Sequence, residues 1–258
     1  MMIIYFEITS EITMTEQVLS FQQFFYTGVD AEKFLQGQVT VNVNKLDHHT
    51  YQATAICDLK GRIHFGLWLK RHSNEQFEIV ICQDLAEELQ THIKKFGAFS
   101  KATLTVGDMI YPTVVDHNSS FTCDASQKCE IATWQLNAIQ HGQAWITQAS
   151  SHLFQPQELR LHQRSGVDYD KGCYLGQEII ARLWFKAQPK HWLHLIQGTG
   201  YCPQTAEQLN NDVQVVNAIS TEQGWLALVT AKPIALESLA VKVLELPAPL
   251  NADVARPK

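Results

Sequence analysis

Residues 168–182, DYDKGCYLGQEIIAR, form the most informative stretch of the sequence. One cysteine, Cys173, directly follows Gly172, and Lys171 stands two positions before it. Lys171 and nearby helix amides favour a thiolate at this position, and Gly172 and Gly176 allow a ligand to approach the backbone closely or allow positive φ angles. Spacing alone leaves two interpretations open: a reactive thiol held in a site, or an ordinary buried cysteine in a glycine-rich turn.

Four further side chains around the cysteine offer contacts to a ligand. Tyr174 adds an aromatic face and a hydroxyl, and Gln177 and Glu178 bring amide and carboxylate groups that suit the donor–acceptor edge of a heterocycle. Glu178 and Arg182 lie four residues apart, which predicts a favourable pair on one face of a helix. The competing interpretation is structural, with Arg182 only pairing with Glu178 and Glu178 stabilising a helix end.

Composition limits the classes of function. The chain has 258 residues, enough for one large domain or two ordinary ones that need no disulfides to fold. Its net charge of −6 argues against a broad basic surface, so direct tRNA binding is not expected. The six cysteines show neither C-x-x-C nor zinc-ligand spacing, and no metal site is predicted.

Targeting signals are also missing from the sequence pattern. The N-terminal segment carries Glu7 and Glu11 and no basic region, which argues against a signal peptide. No apolar run approaches the roughly 20 residues of a membrane span. With little need for disulfides, the thiols are expected to be reduced, and we expect no membrane association and a cytoplasmic location.

The first hundred residues alternate between helix and strand patterns. Helices are predicted for 31–36, with Asp30 as the N-cap, and from Asp84, with Glu87 completing a capping box. Alternating or apolar runs predict strands at 39–43, 51–57, 63–69, 77–81 and 102–106. This order favours an α+β fold with mostly antiparallel strands and helices on one face.

The second half is organised differently. The polar residues 116–130 are expected to form a connection or a hairpin tip, and 176–185 a short helix stopped by Pro189. Repeated strand patterns from Trp192 onward predict a small barrel or sandwich. We therefore place a domain boundary near residue 188, which divides the chain into 1–187 and 188–258.

The motif K-G-C-Y-x-G-Q-E at 171–178 resembles the signature of the YgfZ family of folate-binding proteins, relatives of the aminomethyltransferase of the glycine cleavage system. All seven specified positions match. The segments FLQGQVT (34–40), CDLKGRI (57–63) and FGAFSKATL (96–104) resemble other motifs of the family. Roughly residues 20–190 share the resemblance, and the C-terminal strand patterns fit the family's small barrel.

The resemblance implies a specific architecture and ligand. The fold would be interleaved ferredoxin-like split β-α-β units around a central channel, plus a small C-terminal β-barrel. The channel would bind tetrahydrofolate or a one-carbon derivative, with Phe21 and Trp134 at the family's aromatic folate contacts. Better-known members have tryptophan where Phe21 stands, so an indole N–H donor is lost here. Trp134 has a competing interpretation as a core residue.

The resemblance also implies a role. Family members support iron–sulfur enzymes, including those that thiolate tRNA, and the family cysteine falls on Cys173. An alternative is folate-dependent aminomethyl transfer, but the segment from Gly61 to Gly66 lacks the acidic pair of the transferases, and moving an amine proton requires such a group. A third alternative is a structural adaptor that keeps the fold without the ligand.

Overall fold

The computed structural model describes residues 18–187 and 189–256. The prediction about a signal peptide concerns residues outside this range. Five helices are present in the described residues: α1 Ala31–Gln36, α2 Ala86–Phe96, α3 Ile131–Gln140, α4 Gln177–Lys186 and α5 Pro233–Leu236. The strands are β1 Phe21–Gly28, β2 Gln52–Cys57, β3 Ile63–Ser73, β4 Gln76–Cys82, β5 Ala102–Val106, β6 Tyr111–Val115, β7 Asn118–Thr122, β8 Trp192–Gly198, β9 Gln208–Asn210, β10 Val213–Thr221, β11 Gly224–Ala231 and β12 Lys242–Leu244.

The first sheet has five antiparallel strands in the order β2-β3-β4-β1-β5. Successive side chains of a strand point to opposite faces. On one face, Tyr26 of β1 is fully buried, and its ring lies 5.2 Å from that of Phe34 in α1. On the other face, Phe21 of β1 meets Trp134 of α3 at 4.9 Å between ring centroids. Both faces of this sheet are therefore covered.

The polar segment 116–130 contains a hairpin tip, as predicted. Strands β6 and β7 pair antiparallel, and Asp116 and His117 turn the chain between them with positive φ angles. Asn118–Thr122 is itself a strand, so the hairpin extends further into the segment than its polarity indicates. The hairpin supports α3, because the Trp134 indole donates to the Ser120 carbonyl at 2.9 Å.

The C-terminal strands form a second antiparallel sheet in the order β12-β8-β11-β10-β9. The strand pattern after Trp192 is confirmed, but the predicted barrel is not: β12 and β9 are separate edges, and the sheet is open in the part of the chain that the structure describes. Leu193, Leu195 and Leu226 of this sheet belong to the same hydrophobic core as the first sheet. The boundary at residue 188 stays a prediction.

Most predicted elements of the first half are confirmed, and Asp30 is the N-cap residue of α1, but neither predicted side-chain cap forms and one strand is wrong. The Asp30 carboxylate accepts from the Lys101 amide at 2.7 Å, and that of Asp84 accepts from the Gln148 amide at 2.9 Å. Both carboxylates therefore tie distant segments together instead of capping helices. In the predicted strand 39–43, the Asn42 side chain accepts from Asn44 and starts a short 3₁₀ turn.

The mixed class of helices and antiparallel sheets is confirmed. The finer arrangement of interleaved ferredoxin-like units stays a prediction. Within the described residues, no helix combines the length and apolar character needed to cross a bilayer.

Candidate functional site

Three segments singled out in the sequence meet in space around the motif loop, defined here as residues 168–176. The Leu175 amide donates to the Gly37 carbonyl at 3.1 Å, and the Asp168 amide donates to the Thr40 carbonyl at 2.9 Å. A Cβ atom placed on Gly176 would lie 2.4 Å from the Asp58 carbonyl oxygen. The motif loop is thus held against both segments 34–40 and 57–63.

Lys171 anchors the buried side of the motif loop. Its buried ammonium donates to the carbonyls of Val39 and Val41, at 2.6 and 2.8 Å, and lies 4.8 Å from the ring centre of Tyr174. Burial lowers the pKa of Lys171 to about 7, although the Asp168 carboxylate acts in the opposite direction. Because the ammonium is committed to these partners, Lys171 acts as an anchor for the loop.

Cys173 is exposed, so the interpretation as a buried cysteine is wrong. Gly172 is also exposed, and a Cβ atom placed there would have no neighbour within 4 Å. Tyr174 is buried instead, and burial raises the pKa of its phenol. Lys171 and Tyr174 take the interior positions of the loop, and Gly172 and Cys173 are left at the surface.

Helix α4 begins directly after the motif loop. Gly176 adopts a positive φ of 79° at the helix start, and the close Asp58 carbonyl explains why a side chain is excluded there. Glu178 and Arg182 are both exposed on this helix, and Gln177 is half-buried. The predicted ion pair between Glu178 and Arg182 is wrong, because no contact within 4.0 Å joins their charged atoms in the part of the chain described.

A groove of about 580 Å³ lies beside the motif loop, and we call it the motif groove. The rings of Tyr169 and Trp184 stack in its wall, 4.3 Å apart and within 5° of parallel. Lys45, paired with Asp168 at 2.7 Å, and Arg256 add positive charge to the lining. Asp47 and Asp170 also line the groove, so its flat aromatic surface lies next to charges of both signs.

Phe21 and Trp134 belong to a packed aromatic cluster. Trp134 is fully buried, and its ring lies within 6 Å of those of Phe21, Trp68 and Trp145. The cavity beside Trp68 and Trp145 measures about 30 Å³, room for little more than one water. The predicted channel is therefore not of folate size at this position, because large aromatic side chains fill it.

A second open space adjoins the same cluster from the side of the C-terminal sheet. We call this space of about 570 Å³ the interdomain cleft because residues from both sides of the proposed boundary at residue 188 line it, among them Ser20, Gln135 and Trp145. Ser20 and Gln135 are the sequence neighbours of Phe21 and Trp134. A ligand in the cleft would approach the aromatic cluster from its edge.

Comparison with known proteins gives consistent results. No family model matches the chain. A protein of Cronobacter sakazakii named tRNA-modifying protein YgfZ is 27% identical over 234 aligned positions, which cover 71% of each chain. Its namesake from Aliivibrio fischeri is 25% identical over 286 aligned positions, which cover 88% of this chain and 89% of the relative. The chain is similar to these YgfZ proteins over most of its length.

The fold of this chain is shared with an enzyme. The crystal structure of glycine cleavage system aminomethyltransferase T from Bartonella henselae superposes with a TM-score of 0.60 at 11% sequence identity. The superposition covers 88% of this chain and 80% of the enzyme. The likeness shows a common architecture, which agrees with the relation stated for the YgfZ family.

A buried carboxylate, that of Glu78, was not among the predicted site residues. Glu78, buried in β4, accepts hydrogen bonds from Gln23, from the Tyr51 hydroxyl and from His72, the last at 2.9 Å. Gln23 also donates to the sulfur of Cys123 at 3.5 Å. The signal in the sequence was a lone glutamate within the apolar run FEIVI. Its oxygens are engaged by three protein donors.

Other residues of the site carried weaker signals. Tyr169 and Trp184 lie fifteen positions apart in sequence, so their stacking depends on how α4 folds back over the motif loop. Arg256 reaches the motif groove from the far end of the chain. No local pattern connects these three residues, and only the folded chain brings them together.

Proposed function

We propose that the chain binds tetrahydrofolate or a one-carbon derivative and acts as a YgfZ-type accessory protein in the cytoplasm. In this role it supports iron–sulfur enzymes, such as tRNA-thiolating proteins, and thereby the modification of tRNA. The relatives named tRNA-modifying protein YgfZ and the aminomethyltransferase fold support the proposal. The observation that carries it is the exposed Cys173, presented by a loop that is hydrogen-bonded to segment 34–40 and lies against segment 57–63.

The motif groove is the proposed place for the folate. A reduced folate has a flat pterin, a benzoyl ring and an anionic glutamate tail, and such ligands are held by apolar walls with a few directed polar groups. Tyr169 and Trp184 supply a stacking surface, and Lys45 and Arg256 supply charge for the tail. The lining also holds the carboxylates of Asp47, Asp168 and Asp170, of which that of Asp168 is paired with Lys45.

The motif residues of α4 complete the proposed site. Gln177, Glu178 and Arg182 are the polar groups nearest to the motif cysteine along the helix, and two of them are exposed. We assign Glu178 and Gln177 to the N–H groups of the pterin and Arg182 to the tail. Tyr174 supports the motif loop from the interior, whereas Phe21 and Trp134 lie in the packed aromatic cluster and are not assigned to this site.

Cys173 is the proposed reactive group. An exposed thiol at a fixed backbone position can exchange with disulfides or take up sulfur or a metal ion transiently. Lys171 contributes by holding the loop, since its donors are used by the carbonyls of Val39 and Val41.

The alternative, aminomethyl transfer, finds less support in the site. The segment from Gly61 to Gly66 contains no carboxylate, and Glu78 is buried and already accepts from three protein donors. A general base needs a free position within hydrogen-bond reach of its proton. Formation of methylene-tetrahydrofolate from glycine-type amines by the purified chain would establish this alternative.

Two experiments test the proposal. In a bacterial strain lacking its own YgfZ protein, Cys173→Ala is expected to fold but to lose complementation, whereas Cys123→Ala, which removes another exposed thiol, is expected to complement. Normal complementation by Cys173→Ala contradicts the role of the thiol.

The second experiment is calorimetric titration with tetrahydrofolate. Trp184→Ala is expected to weaken binding by roughly 5- to 150-fold, since loss of one stacked ring costs about 1–3 kcal/mol. Phe99→Ala, which removes a fully exposed ring, serves as the control. Unchanged binding by Trp184→Ala together with weakened binding by Gln135→Ala moves the ligand to the interdomain cleft, and no binding by the wild type contradicts the folate assignment.

A further inference from the structure

Two histidines and a glutamate from three separate parts of the first domain meet at the surface. His64 lies in β3, Glu88 in α2, and His152 in the loop after α3. One donor atom of each lies within 4.8 Å of the others. Their closest contact, between His64 Nε2 and Glu88 Oε1, is 2.8 Å. We call this group the His–Glu–His cluster.

The backbone holds the two imidazoles next to each other. The His152 amide donates to the Ile63 carbonyl at 2.7 Å, and the Ser151 hydroxyl donates to the His64 carbonyl at 2.8 Å. His152 itself adopts a left-handed conformation with φ of 62°, which is uncommon for a residue with a side chain. As a result, the two rings lie with centroids 4.2 Å apart.

The orientation of His152 is set by a carboxylate. Its Nδ1 atom lies 3.1 Å from Asp58 Oδ2, which leaves Nε2 as the second ring nitrogen. Asp58 is in turn fixed, because its Oδ1 accepts from the amides of Lys60 and Arg62 at 2.8 and 2.9 Å. A carboxylate behind one ring nitrogen is the usual outer-sphere partner of a histidine that binds metal through the other.

We infer that the His–Glu–His cluster is a binding site for a divalent first-row transition-metal ion such as Zn²⁺, with Asp58 as its outer-sphere partner. Two imidazoles and one carboxylate are a ligand set used for Zn²⁺ and Fe²⁺. The prediction from cysteine spacing that the chain has no metal site did not consider histidines that are distant in sequence. The inference is independent of folate binding and of Cys173.

The distances suit coordination after a small adjustment. Two ligands bonded to one ion at 2.0–2.2 Å lie roughly 2.8–3.6 Å apart, and His64 and Glu88 already have this separation. The side chains of Glu88 and His152 are about half exposed, at 49% and 45%, so they are free to move the remaining distance. Their exposure also leaves at least one coordination position for water or an external ligand.

The test is titration of the full, chelator-stripped chain with Zn²⁺ by calorimetry and with Co²⁺ by absorption, in the presence of a phosphine reductant. One equivalent is expected to bind, with visible cobalt bands and without a thiolate-to-cobalt charge-transfer band. His152→Asn, which tolerates the left-handed backbone, and Glu88→Ala, on an exposed helix position, are expected to weaken binding by about 10- to 100-fold or more. Asp58→Asn is expected to weaken it by about 10- to 100-fold.

His191→Gln is the matched control, because His191 also pairs with an aspartate, Asp212, at 3.2 Å but has no second histidine in its group. It should bind Zn²⁺ as the wild type does. The inference is overturned if the wild type binds no ion, if both His152→Asn and Glu88→Ala bind as tightly as the wild type, or if the cobalt spectrum shows thiolate ligation.

Discussion

Among single residues, Lys171 makes the clearest link between the motif and the physical state of the protein. The pKa of its ammonium is lowered by burial to about 7, from an ordinary value of 10.5. Between these values the unfolded chain holds a proton that the folded chain has released. Stability therefore rises with pH across this window and levels off above it.

Lys171→Met removes this dependence. Between pH 7.5 and 9.5, we expect the unfolding free energy of the wild type to rise relative to that of Lys171→Met. The expected rise is about 1.4 kcal/mol per pH unit. Urea denaturation at both pH values measures it, with Lys186→Met at the exposed end of α4 as the control. A difference that stays constant with pH means that Lys171 remains charged in the folded chain.

A second residue of consequence is Tyr51, whose hydroxyl donates to the buried Glu78 carboxylate. Burial and this carboxylate raise the pKa of the Tyr51 phenol, so it stays protonated as a donor. Tyr51→Phe is expected to lower the free energy of unfolding by about 1.5–3 kcal/mol, the size of a hydrogen bond to a charged group. Urea denaturation measures it, and Tyr201→Phe, at an exposed ring, should change stability by less than about 0.5 kcal/mol.

These residues also show where sequence reasoning stops. The motif around Cys173 predicted a site. Which of its side chains are buried depends on the segments that pack against the motif loop. Lys171 finds its acceptors at Val39 and Val41, some 130 positions away, and no local pattern records such a partner. Glu78 was visible as a charge in an apolar strand, but its partner Gln23 lies on another strand.

At the level of elements, the start of α4 distinguishes a glycine that the backbone requires from one that packing does not require. Gly176 combines a positive φ with a Cβ position 2.4 Å from the Asp58 carbonyl, whereas Gly172 has open space around it. Gly176→Ala is expected to destabilise the chain by about 1–3 kcal/mol, through backbone strain and the displaced Asp58 segment. Gly172→Ala should stay within about 0.5 kcal/mol of the wild type.

The same pair tests the proposed site. Thermal unfolding gives the stabilities, and complementation of a strain lacking its YgfZ protein gives the function. If Gly172 serves close approach of a ligand to the loop, Gly172→Ala loses function while it keeps its stability. Equal destabilisation by both substitutions would contradict the distinction drawn from the geometry.

Elements with strong local periodicity were predictable, and their ends were not. Helices α1, α2 and α4 could be predicted from the spacing of their apolar residues and from the residues that end them. Asp30 stands at the N-cap position of α1, and Asp84 lies one residue before the N-cap of α2, but their carboxylates bond to the amides of Lys101 and Gln148. The amides at a helix start compete for a capping carboxylate with every other donor that the fold brings near. The sequence does not show which donor will be close enough.

For the whole molecule, the sequence predicted the class and the relationship to YgfZ, while packing determined where open space remains. Large rings from four separate elements fill the region beside Trp68 and Trp145, and the larger spaces are the motif groove and the interdomain cleft. Likewise, the number of C-terminal strands could be predicted, but closure into a barrel depends on pairing between edge strands that strand patterns do not specify.

The connection between the two sheets gives a test of the proposed domain boundary at residue 188. Asn217, fully buried at a bulge in β10, donates to the Trp145 carbonyl and accepts from the Trp145 amide, both at 3.0 Å. Asn217→Ala leaves both groups of Trp145 without this partner, which costs about 2–4 kcal/mol in total. Ser220→Ala, at an exposed position of the same strand, is the control.

Because Leu193, Leu195 and Leu226 share a core with the first sheet, the wild type is expected to unfold in urea in one transition, with coincident midpoints by tryptophan fluorescence and circular dichroism. Asn217→Ala weakens the link between the sheets, so its two signals should separate, and limited proteolysis should cut near residue 188. The contrary result is that Asn217→Ala keeps coincident midpoints and is as stable as Ser220→Ala. In that case the apolar core alone couples the sheets, and the buried amide contributes little to the connection.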